Sequence, residues 1–140
     1  GDDLGPRTVV ACGTCGLWFV SPRISSGEIA DKYSGKSYFE RESGVTGYQN
    51  YLEDRDLHLL FFRRQLDELE RLVGRGRLLD VGCAGGFLVE EAVRRGWEAE
   101  GVEVSEFASA HARDVLGLKV RTGDLRGAGY ADRTFRVVVM

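Results

Sequence analysis

Residues 77–96 read RLLDVGCAGGFLVEEAVRRG, and this stretch decides the fold. An apolar run over 77–81 meets three glycines within five residues, Gly82, Gly85 and Gly86, and then an amphipathic run closed by Gly96. That order predicts a strand turning sharply into a helix. Without Cβ atoms the turn permits positive φ and lets a ligand touch the backbone, while the first helical turn offers unpaired N–H groups.

Towards the C-terminus the element types alternate. The spacing predicts a helix over 87–95, a strand over 99–104, a helix over 105–116 with Ser105 as N-cap, a short strand over 119–121 and a β-branched strand over 135–139. Such alternation is the order of a parallel sheet wound with right-handed crossovers, so the expected fold class is α/β with a Rossmann-like parallel sheet. No helix follows the last strand, from which we expect the sheet to continue beyond Met140. Met140 is also the only methionine, from which we expect residues ahead of Gly1.

Towards the N-terminus, Leu59, Phe62, Leu66, Leu69 and Val73 recur at gaps of three, four, three and four. They share one face of a long amphipathic helix, expected to face the core, with Gly74 or Gly76 as its stop. Further upstream, short β-like pieces over 9–11 and 17–20 flank Cys12-Gly-Thr-Cys15-Gly, and Ser-Pro-Arg over 21–23 reads as a turn. Ser25 and Glu28 have capping-box spacing ahead of a short helix to about residue 33.

Composition narrows the function classes. With 140 residues, a net charge of -3, 43% hydrophobic and 29% charged residues, the chain reads as one ordinary globular domain, not a basic nucleic-acid binder. The uncharged stretch over residues 9–20 is too short to span a bilayer and follows no basic leader, so neither a signal peptide nor a membrane partner is expected. Three cysteines, an odd number, argue against a disulfide framework and for a reducing, cytoplasmic setting.

Two nucleotide readings compete for the glycine turn. A dinucleotide fingerprint requires G-x-G-x-x-G, but the frame from Gly82 has Ala84 and Phe87 at its second and third glycines. The pattern D-x-G-x-(G/A)-x-G is met by Asp80, Gly82, Ala84 and Gly86 without a gap, and it resembles motif I of the class I S-adenosylmethionine (SAM) dependent methyltransferases. An acid, Glu103, lies 21 residues after Gly82, at the end of the second strand, where it can accept hydrogen bonds from ribose hydroxyls. This acid suits NAD as well as SAM.

The resemblance extends along most of the chain. It implies that Asp124, with Leu125 beside it, receives the adenine end, and that Asp80, Gly82, Cys83, Ala84, Gly85, Gly86, Glu103 and Val104 complete the cofactor site. The run FRVVVM is similar to the family's fourth strand, with Arg136 where an acid is usual. The segment Cys12, Cys15, Gly16, Leu17, Phe19, Pro22 and Arg23 resembles the CxxCGLxFxxPR of a subgroup in which a zinc-ribbon-like piece precedes the methyltransferase domain. On this resemblance residues 1–36 form a partial zinc-ribbon-like segment, 37–76 a helical cap region, and 77–140 the N-terminal half of a SAM-binding domain.

The cysteine pair is half a metal site. Cys12 and Cys15 can give two thiolates to zinc, whereas a closed structural site takes four ligands, and only Cys83 is left. Two reduced cysteines without metal are the other reading, and a redox role does not fit a pair that opens no helix. Cys83 reads as a small apolar filler, and His58 and His111 as surface or packed histidines. Tyr48, Tyr51 and Arg55 lead into the long helix, either packing it or shielding a sulfonium.

The expectation is therefore SAM-dependent methyl transfer to a small-molecule acceptor, with no nucleic-acid partner. In the family the catalytic base usually comes from loops after the fourth strand, so no catalytic residue is assigned. Two alternatives stand beside it: a zinc-ribbon interaction module on a non-catalytic sheet, and an NAD-binding oxidoreductase fragment.

Overall fold

The computed structural model describes residues 7–25, 27–29, 33 and 51–140. Tyr48, the 36/37 boundary and most of the short helix expected before it lie outside the described residues.

An antiparallel hairpin opens the chain, β1 (Thr8–Ala11) on β2 (Trp18–Ser21), with Thr8 opposite Ser21 and Ala11 opposite Trp18. Its turn is closed by the Cys12 N–H on the Leu17 carbonyl at 2.8 Å and the Gly16 N–H on the Cys12 carbonyl at 2.9 Å. The expected capping box forms: Glu28 N–H donates to Ser25 Oγ at 3.3 Å, and Ser25 N–H donates back to Glu28 Oε2 at 2.7 Å.

Helix α1 runs over Arg55–Val73 and buries Leu59 and Leu66, with Phe62 and Leu69 against the core. Val73, expected on the same face, is 37% exposed because the helix stops there. Gly74 ends it at φ +66°, its N–H on the Glu70 carbonyl.

The second sheet has four parallel strands in the order β5-β4-β3-β6: β3 (Arg77–Val81), β4 (Glu98–Glu103), β5 (Val120–Thr122) and β6 (Val137–Val139). Helix α2 (Phe87–Arg94) crosses from β3 to β4. Leu66, Leu78, Leu88, Val89, Ala92, Trp97, Ala99 and Val120 form the core between sheet and helices. Each fully buried large apolar side chain contributes about 1.5–3 kcal/mol.

Polar ties fix α1 on α2. The Glu91 carboxylate is 2% exposed and receives Arg94 and Arg95, with Arg63 of α1 at 3.4 Å. These guanidinium groups hold it down to about 2, Arg94 contributing most. Arg95 also reaches Asp67 at 2.6 Å, and Trp97 Nε1 donates to Glu70 at 3.2 Å.

Two elements depart from the sequence expectation. The helix after β4 is split into α3 (Glu106–Ala110), which Ser105 caps as expected, and a π-turn over His111–Val115, where Leu116 N–H reaches the His111 carbonyl. Strand β6 starts at Val137, not residue 135, because Phe135 turns aside onto Tyr130. Arg136 donates its N–H to the Arg77 carbonyl at 2.9 Å, and its side chain lies over Gly76, where a Cβ would come within 2.9 Å. It therefore sits at the start of β3, away from the strands' carboxyl ends. Among the described residues, no helix is long and apolar enough to cross a membrane.

Candidate cofactor site

From β3 the chain crosses to β4 on one side and later returns to β6 on the other. Connections that part in opposite directions leave a crevice at the carboxyl ends of the strands, the place where open parallel sheets bind ligands. A cleft of about 450 Å³ opens there. Its sheet-side wall includes Asp80, Gly82, Cys83, Ala84 and Glu103, and its opposite wall includes Tyr51, His58, Phe61, Phe62 and Gln65.

The turn is held by β4. Gly82 and Cys83 both donate to the Val102 carbonyl, at 2.8 and 3.2 Å, and Ala84 N–H donates to Glu103 Oε2 at 2.8 Å. The other oxygen of Glu103 accepts Ser105 N–H at 2.8 Å, so both oxygens are oriented before any ligand arrives. A carboxylate has about four acceptor positions, which leaves capacity for two hydroxyl donors. Backbone φ is positive at alternate residues, +80° at Gly82, +47° at Ala84 and +86° at Gly86. Only Ala84 carries a Cβ there, at a cost of roughly 1 kcal/mol offset by its bond to a charged acceptor.

Asp80 is 7% exposed in the floor of the cleft. Burial first, and then the nearby Glu103, push its carboxyl up to about 7. Cys83 turns into the core, where a Cβ on Gly101 would come 2.5 Å from its sulfur, and burial pushes its thiol up. The filler reading of Cys83 therefore holds, although its backbone faces the cleft.

Gly85 and Gly86 turn their Cβ sides elsewhere, Gly85 onto Leu52, Tyr51 and His111, Gly86 onto Leu118 and Ala112. Val104 lies past the end of β4 and is 43% exposed, and it does not line the cleft. Asp124 accepts Gly127 N–H at 2.6 Å in a turn, and neither it nor the half-exposed Leu125 lines the cleft. Tyr51 is buried and stacked on Phe87 at 5.1 Å, so it packs the chain before α1 onto the turn while also facing the cleft. Arg55 holds Glu90 of α2 at 2.6 Å. His58, Phe61 and Gln65 join Phe62 of the core stripe at the cleft from α1, which the helical spacing could not reveal because it marks only the face towards the core.

At the hairpin, Thr14 and Cys15 hydrogen bonds draw the Cys12 thiol below its ordinary range, Cys15 contributing most. Among the described residues no group of three or more metal-ligating side chains exists. Two thiols do not close a tetrahedral site, so the donors among the described residues do not fit structural zinc.

No protein-family model matches the sequence, and no curated protein does. Solved structures do match. The PH0226 protein from Pyrococcus horikoshii OT3 is 22% identical over 75% of this chain and 44% of its own, with a TM-score of 0.53. WbdD is 23% identical over 61% of this chain and 21% of its own, with a TM-score of 0.50. The fold shared with these structures is an α/β fold with a Rossmann-like parallel sheet.

A SAM dependent methyltransferase from Archaeoglobus fulgidus also matches, 25% identical over 53% of this chain and 34% of its own, with a TM-score of 0.44. The chain spans less than half the length of each of these structures, 44% at most. In this fold the glycine turn, Asp80 and Glu103 occupy the carboxyl ends of the first two strands of the wound sheet.

Proposed function

We propose that this chain binds S-adenosylmethionine in the cleft beside Gly82–Ala84 and that the protein transfers its methyl group to a small-molecule acceptor. One observation carries the reading: Glu103, with both oxygens oriented by backbone N–H groups, shares the cleft with a turn whose middle residue is Ala84. The fold supports it, and so does the departure of Ala84 and Phe87 from the dinucleotide pattern.

In this reading Glu103 accepts the ribose hydroxyls, the Gly82–Ala84 backbone lies along the methionine end, and Asp80 faces its ammonium group. SAM supplies a methyl group on a sulfonium, ready for in-line displacement by the acceptor. The chain's residues have then to orient and enclose it, work that contributes about 7–11 kcal/mol in well-positioned systems. Tyr51, Phe61 and Phe62 exclude water from one wall of the cleft. Asp124 and Leu125 would join the adenine end only if the turn that Asp124 now closes onto Gly127 is reset.

Titration calorimetry with SAM and with S-adenosylhomocysteine tests the reading, with NADH as the competing ligand. Binding of both sulfur compounds, weakened by Glu103→Ala and unaffected by NADH, is the expected outcome. Binding of NADH alone would move the site to the dinucleotide class, and no binding of any of the three would leave the sheet as a scaffold.

A further inference from the structure

His111 lies 26 residues from Gly85 in sequence, and its Nδ1 is 3.4 Å from the Gly85 carbonyl oxygen. A carbonyl only accepts, so the contact requires a proton on Nδ1. A further contact fixes the ring: it meets Phe87 edge to face at 89°, with centroids 6.2 Å apart.

The ring belongs to the residue that opens the π-turn. In a regular α-helix consecutive residues are about 100° apart, so neighbours do not bear on the same short target. Here His111 and Ala112, at the opening of the π-turn, bear on consecutive glycines, His111 on Gly85 and Ala112 on Gly86. Ala112 is fully buried and supplies packing. His111 adds a directional donor. Single π-turns inside helices concentrate at functional sites, where the extra residue re-aims a side chain.

We propose that His111 is a positioning residue for the cofactor turn: its Nδ1–H holds the Gly85 carbonyl and thereby sets the orientation of the peptide that follows the Gly82–Ala84 seat. This rests on the SAM reading above. His111 does not itself line the cleft, so its effect on a ligand there passes through the turn.

The full chain is tested with S-adenosylhomocysteine as the probe. In His111→Asn the amide nitrogen stands close to where Nδ1 was, and in His111→Phe the ring edge on Phe87 is kept without the donor. Calorimetry should show His111→Phe weakened about three- to tenfold, the worth of one hydrogen bond, and His111→Asn within about twofold of the parent. Equal affinity of the parent and His111→Phe, or equal losses in both variants, would overturn the proposal while leaving SAM binding intact. A parent that binds no S-adenosylhomocysteine would instead remove the reading beneath it. Should His111→Phe fail to fold, long-range proton–nitrogen NMR of the parent reads the tautomer directly. A protonated Nδ1 with bare Nε2 supports the proposal, and the opposite neutral tautomer ends it.

Discussion

Ala84 gives its backbone N–H to Glu103 across 2.8 Å, joining two residues 19 apart in sequence at the mouth of the cleft. The same carboxylate accepts Ser105 N–H, so one side chain orients the glycine turn and the N-cap of α3 together. Substituting Glu103→Gln places an amide NH₂ against one of these donors. Hydrogen bonds to a charged group are worth about 1.5–3 kcal/mol, so S-adenosylhomocysteine affinity should fall at least tenfold and the urea midpoint should drop. Unchanged affinity by calorimetry would exclude Glu103 as a cofactor ligand.

Ala84 sits at φ +47°, which glycine adopts without strain. Relief of roughly 1 kcal/mol in Ala84→Gly is opposed by about 0.4–1 kcal/mol of added freedom in the unfolded chain. Urea denaturation should therefore find Ala84→Gly within about 0.5 kcal/mol of the parent. Ala84→Val, β-branched in the left-handed region, should lose about 2 kcal/mol or more.

Asp80 is raised from 3.8 to about 7 by burial and by Glu103. A carboxyl with a raised folded pKa favours folding most below 3.8, and that contribution is lost as pH rises through about 7. Melting temperatures should accordingly fall between pH 5 and pH 8 in the parent, and fall less in Asp80→Asn, whose side chain has no charge to bury. Over that window the ceiling on the effect is about 3 kcal/mol. A parent and variant with parallel pH profiles would show that Asp80 is ionised throughout.

Glu91 behaves in the opposite sense. Arg94, Arg95 and Arg63 hold it down to about 2, so its contribution is present above 4.5 and is lost as pH falls through about 2. Because the arginines are partly solvated, the expected loss at pH 7 on Glu91→Gln is about 2 kcal/mol. The gap should narrow as the pH falls from 4.5 towards 3. Circular dichroism melts at both ends of that range measure it.

How far the sequence reached depends on whether its signals were local. The strand, glycine turn and helix of 77–96 follow from neighbouring residues, as do the Gly74 stop of α1 and the Ser105 cap of α3, because propensity, capping and φ preference act over a few positions. Parallel pairing followed from alternation alone, because every connection from strand to parallel strand needs a crossover. The spacing from Gly82 to Glu103 placed the acid at the right strand end, but not its bond to Ala84.

What the tertiary structure decided was set by packing between distant segments. No periodicity in 105–116 signals a π-turn, since the widened turn is fixed where His111 and Ala112 close onto Gly85 and Gly86. The stripe through Leu59 and Leu66 predicts the side of α1 that meets the core, while the side that walls the cleft appears only once α1 is tied to α2 through Glu91, Arg95 and Asp67. Local chemistry determined the elements and the order of the wound sheet. Burial and charge between elements decided which of their side chains share the cleft, because those energies depend on neighbours that the linear order does not bring together.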